Sequence, residues 1–81
     1  MTITVLAFAR LRELLGFGER AIELPDGATL DAVWSRLVRD TPAITPLRAS
    51  TRFARNGAVA TGATPVRDGD EIALMPPVGG G

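Results

Sequence analysis

The chain is 81 residues long, 46% hydrophobic and 22% charged, with nine basic residues balancing nine acidic ones, which gives one small domain without the charge excess of a dedicated nucleic-acid binder. It contains no Cys, His, Tyr or Lys, and so has no usual zinc ligands, no thiolate or Ser–His nucleophile, no Schiff base and no disulfide framework. No apolar run approaches the roughly 20 residues that span a bilayer, and Met1-Thr2-Ile3-Thr4-Val5 lacks the basic start of a signal peptide, so no membrane association and a cytoplasmic location are expected.

Thr2 to Ala9 is β-branched and apolar, and its near-continuous apolar run from Val5 predicts a central strand covered on both faces. Arg10 to Leu15 predicts a helix of one or two turns, ended by Gly16 and Gly18. Glu19 to Leu24 alternates polar and apolar up to Pro25-Asp26-Gly27, the pattern of a half-buried strand that can pair with the first as a hairpin. The clearest helix runs from Thr29 to Asp40, because Leu30, Val33, Trp34, Leu37 and Val38 form one stripe at a 3.6-residue period. Thr29 is its expected N-cap, Asp31 suits the positive end of its dipole, and Trp34 belongs to the core.

From Ala43 to Ser50 the chain reads as a loop between Pro42, Pro46 and the next strand, anchored by Ile44 and Leu47. Arg52 to Arg55 leads into Asn56-Gly57, a strong hairpin signal, and then Ala58 to Ala60. Asp68-Gly69-Asp70 marks a turn before the strand Glu71 to Met75, which Pro76-Pro77 ends. About five strands and one main helix predict an α+β domain in which the helix packs on one face of a mixed sheet. The first and last strands meet at its centre, a β-grasp arrangement over residues 1–75 with a tail at 76–81.

Chemistry-bearing residues are few. Asp68, Asp70 and Glu71 place three carboxylates within four residues, but Asp-Gly-Asp is ordinary turn chemistry without EF-hand spacing, so no metal site is expected. Between Asp40 and Asp68 no acidic residue occurs, while Arg48, Arg52, Arg55 and Arg67 do; with Phe53 as the one interleaved aromatic, a solvated basic face is expected there and not a nucleic-acid site, with a docking surface as the alternative. Arg12 and Glu13 read as the wet side of a short helix, or as ligand-orienting groups. The tail Pro76-Pro77-Val78-Gly79-Gly80-Gly81 stands out. Prolines project it from the sheet, and glycines without Cβ can thread a channel too narrow for side chains, carrying a carboxylate into another protein's active site. Such a carboxylate becomes an acyl electrophile only after adenylation by ATP, whereupon a thiol or persulfide displaces AMP and the domain acts as a group carrier.

Three segments resemble the family of molybdopterin synthase small subunits, among the ubiquitin-like sulfur carriers. They are Phe8-Ala9-Arg10-Leu11-Arg12-Glu13-Leu14-Leu15-Gly16, Asp68-Gly69-Asp70-Glu71-Ile72 and Met75-Pro76-Pro77-Val78-Gly79-Gly80-Gly81. The resemblance implies a β-grasp fold and adenylation of Gly81 by a ubiquitin-activating-like enzyme that uses ATP, with no cofactor bound by the carrier. A sulfur donor protein then converts Gly81 to a thiocarboxylate. The tail enters the large synthase subunit, where sulfur passes to cyclic pyranopterin monophosphate, in a heterotetramer. It further implies that Gly80 is the required neighbour of Gly81, and that Phe8, Val59, Met75, Pro76, Pro77, Val78 and Gly79 form the partner interface with Arg12 at its edge. Delivery to thiazole, cysteine or tRNA thiolation, and a ubiquitin-like protein modifier, are the alternatives.

Overall fold

In the computed structural model, which describes residues 1–77, the apolar stripe dictates the main helix. α2 (Leu30–Asp40) buries Leu30, Val33, Trp34 and Leu37 along one side, and Val38 packs at the margin. Thr29 caps its start, with Oγ1 accepting a hydrogen bond from the Ala32 N–H at 3.3 Å, and Asp31 faces the positive end of the helix dipole. Thr29→Ala is expected to cost about 1 kcal/mol in urea unfolding, the usual worth of a cap. An unchanged unfolding midpoint would mean that this cap contributes nothing.

The sheet has the order β2 (Glu19–Glu23), β1 (Thr2–Ala7), β5 (Glu71–Met75), β3 (Arg52–Arg55), β4 (Ala58–Ala60). β1 and β2 pair antiparallel across α1 (Ala9–Leu15). Gly16, with φ of 82° in the left-handed region, closes α1 by donating its N–H to the Arg12 carbonyl. β3 and β4 form a hairpin over Asn56-Gly57, both at positive φ as a two-residue type I′ turn requires. β5 lies parallel to β1 and antiparallel to β3, so the first and last strands meet at the centre. Ile3, Val5, Ile72, Leu74, Phe53 and the α2 stripe make up the core. This is the expected β-grasp. No helix among the described residues is long and apolar enough to cross a membrane.

Four expectations change. β1 ends at Ala7, because Ala9 adopts a φ of 51° and turns the chain into α1. The strand is also covered on one face only: Ile3, Val5 and Ala7 are buried while Thr4 and Leu6 stay half-exposed, since α2 supplies a layer on one side of the sheet. The segment expected to be a loop from Ala43 to Ser50 is a 3-10 helix, Pro42–Ser50. Its hydroxyls hold it closed: Thr45 Oγ1 donates to the Pro42 carbonyl at 2.8 Å, and Ser50 Oγ and Thr51 Oγ1 donate to the Leu47 carbonyl at 3.2 and 2.7 Å. Two prolines hid that periodicity. Ile44 is its buried anchor and Leu47 packs against the core.

The basic stretch is not one solvated face. Arg48 reaches Asp31 at 3.2 Å and lies 4.3 Å over the Phe53 ring, while Arg55 turns to Asp70. Arg52 and Arg67 are exposed.

Candidate partner-docking face

Cross-strand register builds a continuous apolar band on the face of the sheet that α2 leaves open. Val59 lies opposite Ala54, Ala54 opposite Ala73, and Ala73 opposite Leu6, four side chains on four adjacent strands and thus about 14 Å across. Along this band Ala54 is buried at 5% exposure and Leu6 and Ala73 are half-buried. Val59 is 72% exposed on a short edge strand. Met75, two residues beyond Ala73 and opposite Arg52, points to the same side. Phe8 is extended, with φ of −132° and ψ of 158°, and continues the alternation of β1 past its end at 44% exposure. Ala9 keeps a strained positive φ directly after it, a conformation non-glycine residues hold where the surroundings over-determine it.

At one end of this band the chain leaves the sheet. Pro76 and Pro77 line a cavity of about 240 Å³ with Phe8, Ala9, Arg10, Leu11, Leu47, Ser50 and Thr51. Phe8, Met75, Pro76 and Pro77 are therefore brought together at the root of the tail, with Val59 at the far end of the same band. Arg12 is placed elsewhere: its guanidinium lies over Gly18, where a Cβ would come within 3.2 Å of Nε, and Arg10 is the arginine at the tail root. Val78, Gly79, Gly80 and Gly81 lie outside the described residues.

The start of β5, and with it the register that sets Met75 at this root, is fixed by Asp70. Its Oδ2 accepts from Arg55 Nε and from the Arg67 N–H, both at 2.7 Å, and its Oδ1 accepts from Asn56 Nδ2 at 2.9 Å. Asn56 Oδ1 in turn accepts from the Glu71 N–H at 2.9 Å, and the Asp70 carbonyl accepts from the Thr4 N–H. The Arg55 hydrogen bond leads in holding the Asp70 carboxyl at about 2, below its ordinary 3.8; burial opposes it, and Asn56 and the Arg67 N–H assist. Asp68 is engaged separately, with Oδ1 accepting from the Thr2 N–H at 2.7 Å. The three carboxylates thus serve different partners, and no group of three His, Cys, Asp or Glu among the described residues converges on a common point.

Sequence reasoning had missed Leu6, Ala54 and Ala73. The fold is what marks them: with one helix layer on the sheet, apolar residues at alternate positions of the central strands have no second layer to bury them.

Comparison with known proteins gives the family of the chain and relatives of its fold. The ThiS family model matches residues 5–81. The molybdopterin synthase sulfur carrier subunit of Chlamydomonas reinhardtii is 35% identical over 83 residues, covering 100% of each chain. Among solved structures, the putative molybdopterin converting factor subunit 1 of Pyrococcus furiosus superposes with a TM-score of 0.88 at 28% identity, over 96% of this chain and 99% of its own. The small archaeal modifier protein 1 of H. volcanii gives 0.85 at 28% identity, over 95% and 98%. With nearly its whole length matched, this chain belongs to the ThiS family, as a relative of the molybdopterin synthase sulfur carrier subunits.

Proposed function

We propose that the chain is the sulfur carrier subunit of a molybdopterin synthase, with its own chemistry confined to the carboxylate of Gly81. An adenylating enzyme joins that carboxylate to AMP at the expense of ATP. The outer sulfur of a donor protein's persulfide attacks the acyl carbon and AMP leaves; a thiol then cleaves the resulting acyl disulfide, forming a disulfide with the donor's sulfur and leaving the thiocarboxylate. The large synthase subunit receives the tail, and sulfur passes to cyclic pyranopterin monophosphate. The observation that carries this reading is the juxtaposition of an open apolar face with the root of a tail, in a chain whose full-length relative is a sulfur carrier subunit. Phe8, Val59, Met75, Pro76 and Pro77 then seat the partner, Gly80 keeps the reacting carbonyl unhindered, and Val78 and Gly79 span the interval. From Met75 the six further residues reach at most about 20 Å, enough to enter a narrow channel while the sheet stays docked.

The likeness to an archaeal modifier favours one second reading, in which the same activated glycine ends in an isopeptide bond. Intact mass separates the two. Incubation with the activating enzyme, ATP and the sulfur donor is expected to raise the mass by about 16 Da, the exchange of one oxygen for sulfur through an activated acyl group. A chain lacking Gly81 is expected to show no change. No shift in the full chain, or the same shift in the truncated one, would overturn the sulfur carrier; a ladder of adducts at the mass of whole proteins would favour the modifier.

A further inference from the structure

The sheet ends at β2 on one side, and the backbone of that strand is open. The Gly18 carbonyl accepts from the Ala7 N–H and the Leu24 N–H donates to Met1, so Gly18, Arg20, Ile22 and Leu24 face β1, while Glu19, Ala21 and Glu23 direct their N–H and C=O groups away from the sheet. The Glu23 carbonyl is already occupied, accepting from Arg36 Nη1 at 2.9 Å. Among the described residues no backbone hydrogen bond from another element reaches the remaining groups of this edge. The opposite edge is blunter: β4 has three residues, of which Val59 alone points its backbone outward.

Beside β2 runs a groove of about 300 Å³ between the strand and the second half of α2, where Phe17, Ile22 and Leu37 meet the cations Arg20 and Arg36 and the acids Glu23 and Asp40. The Arg20 guanidinium lies 4.3 Å over the Phe17 ring. Arg36 Nε is buried without a hydrogen-bond partner among the described residues, its nearest acid being Asp40 at 3.6 Å. The Arg36 side chain as a whole keeps 35% of its surface exposed, so a carboxylate arriving in the groove pairs with the accessible part of its guanidinium.

We propose that the β2 edge and this groove take up an extended segment of a partner protein as a sixth strand. Alternation sets the chemistry of that segment. Side chains on the groove side meet Ile22, Arg20 and Arg36 and are apolar or acidic; those on the other side meet Glu19, Ala21 and Glu23 and are basic or small. A second copy of this chain is a poor occupant. An antiparallel pair of β2 strands centred on Ala21 sets Glu19 against Glu23 twice, and like charges directly opposite destabilise a sheet. The site is apart from both the open face and the tail, so one partner can hold the carrier here while another works on Gly81.

The test is a nuclear magnetic resonance titration of the isotope-labelled full chain with the synthetic peptide N-acetyl-Asp-Lys-Val-Thr-Glu-Lys-amide. Saturable shifts are expected at the amides of Glu19, Ala21 and Glu23 and around Arg36. A peptide with lysine in place of both acids is expected to bind at least about tenfold more weakly. Ala21→Pro deletes one outward N–H without touching the ladder to β1, a substitution edge strands accept, and is expected to weaken binding about tenfold; unchanged amide shifts at Val5 and Leu74 verify its fold. Arg36→Met provides a second variant with the same direction of change. Shifts centred on Leu6, Ala73 and Val59 would overturn the proposal, as would equal binding of the lysine peptide or the variants, concentration-dependent self-pairing, or no saturable shift at about 1 mM peptide. A chain without Gly81 is expected to bind as the full chain does, so the result stands whether or not Gly81 carries sulfur.

Discussion

Ala73→Arg is expected to weaken association with the proposed partner, a large synthase subunit, at least about a hundredfold, or about 2.7 kcal/mol, while leaving the domain folded. Ala73 is the centre of the open face, flanked in register by Leu6 and Ala54 and only half-buried in the free chain. An arginine there bends its stem over the sheet and keeps its charge in water as long as no partner is present. Docking would force that charge beneath an apolar surface with no anion to pair it. Val59→Ala removes apolar area at the rim and is expected to cost only about 1 kcal/mol. Titration calorimetry measures both losses, and the thermal unfolding midpoint of each free variant checks the fold. Undiminished binding by Ala73→Arg would remove the open face from the interface and leave the tail as the only point of contact.

Asp70→Ala is expected to cost about 3 kcal/mol of folding stability, since it strands donors from Arg55, Asn56 and Arg67 at once. The same network makes stability depend on acid. Because the carboxyl sits at about 2 in the folded chain against 3.8 ordinarily, protonation favours the unfolded state. The contribution of about 2 kcal/mol is complete above about pH 4 and is lost as the pH falls through 2. Asp70's side chain keeps 8% of its surface exposed and Arg55's 30%, so screening by salt is modest. Urea unfolding of the parent and of Asp70→Asn between pH 5 and 2 checks the assignment: the parent weakens toward low pH and the variant loses most of that slope. An identical slope in both would place the acid sensitivity elsewhere.

What the sequence disclosed followed from periodicity and turn chemistry. The α2 stripe, the Thr29 cap, the Asn56-Gly57 hairpin and the central pairing of first and last strands were legible because each rests on local rules or on the one topology that satisfies them. The 3-10 segment was not, since Pro42 and Pro46 break the pattern while hydroxyl-to-carbonyl bonds from Thr45, Ser50 and Thr51 maintain it. Of the candidate interface, Phe8, Val59, Met75, Pro76 and Pro77 were named only through the family resemblance, since no periodicity or turn rule marks them. Leu6, Ala54 and Ala73 were missed, because a run such as Val5-Leu6-Ala7 looks the same whether a second layer of the fold or a visiting protein covers its other side. Asp70 was read as turn chemistry alone; its reach to Arg55 and Asn56 spans 15 and 14 positions, beyond any local pattern.

The parallel union of β1 with β5 has a kinetic consequence. Thr4 and Glu71, which open that ladder, are separated by 67 positions of an 81-residue chain, so the middle of the sheet cannot close until nearly the whole polypeptide has been gathered. The hairpins β1–β2 and β3–β4 and the helix α2 need only nearby residues and can precede it. Folding is thus expected to be limited by a late, long-range closure, in milliseconds or slower despite the small size. Until that step completes, the ladder that sets Met75 beside Phe8 does not exist, and the tail has no fixed root from which to project.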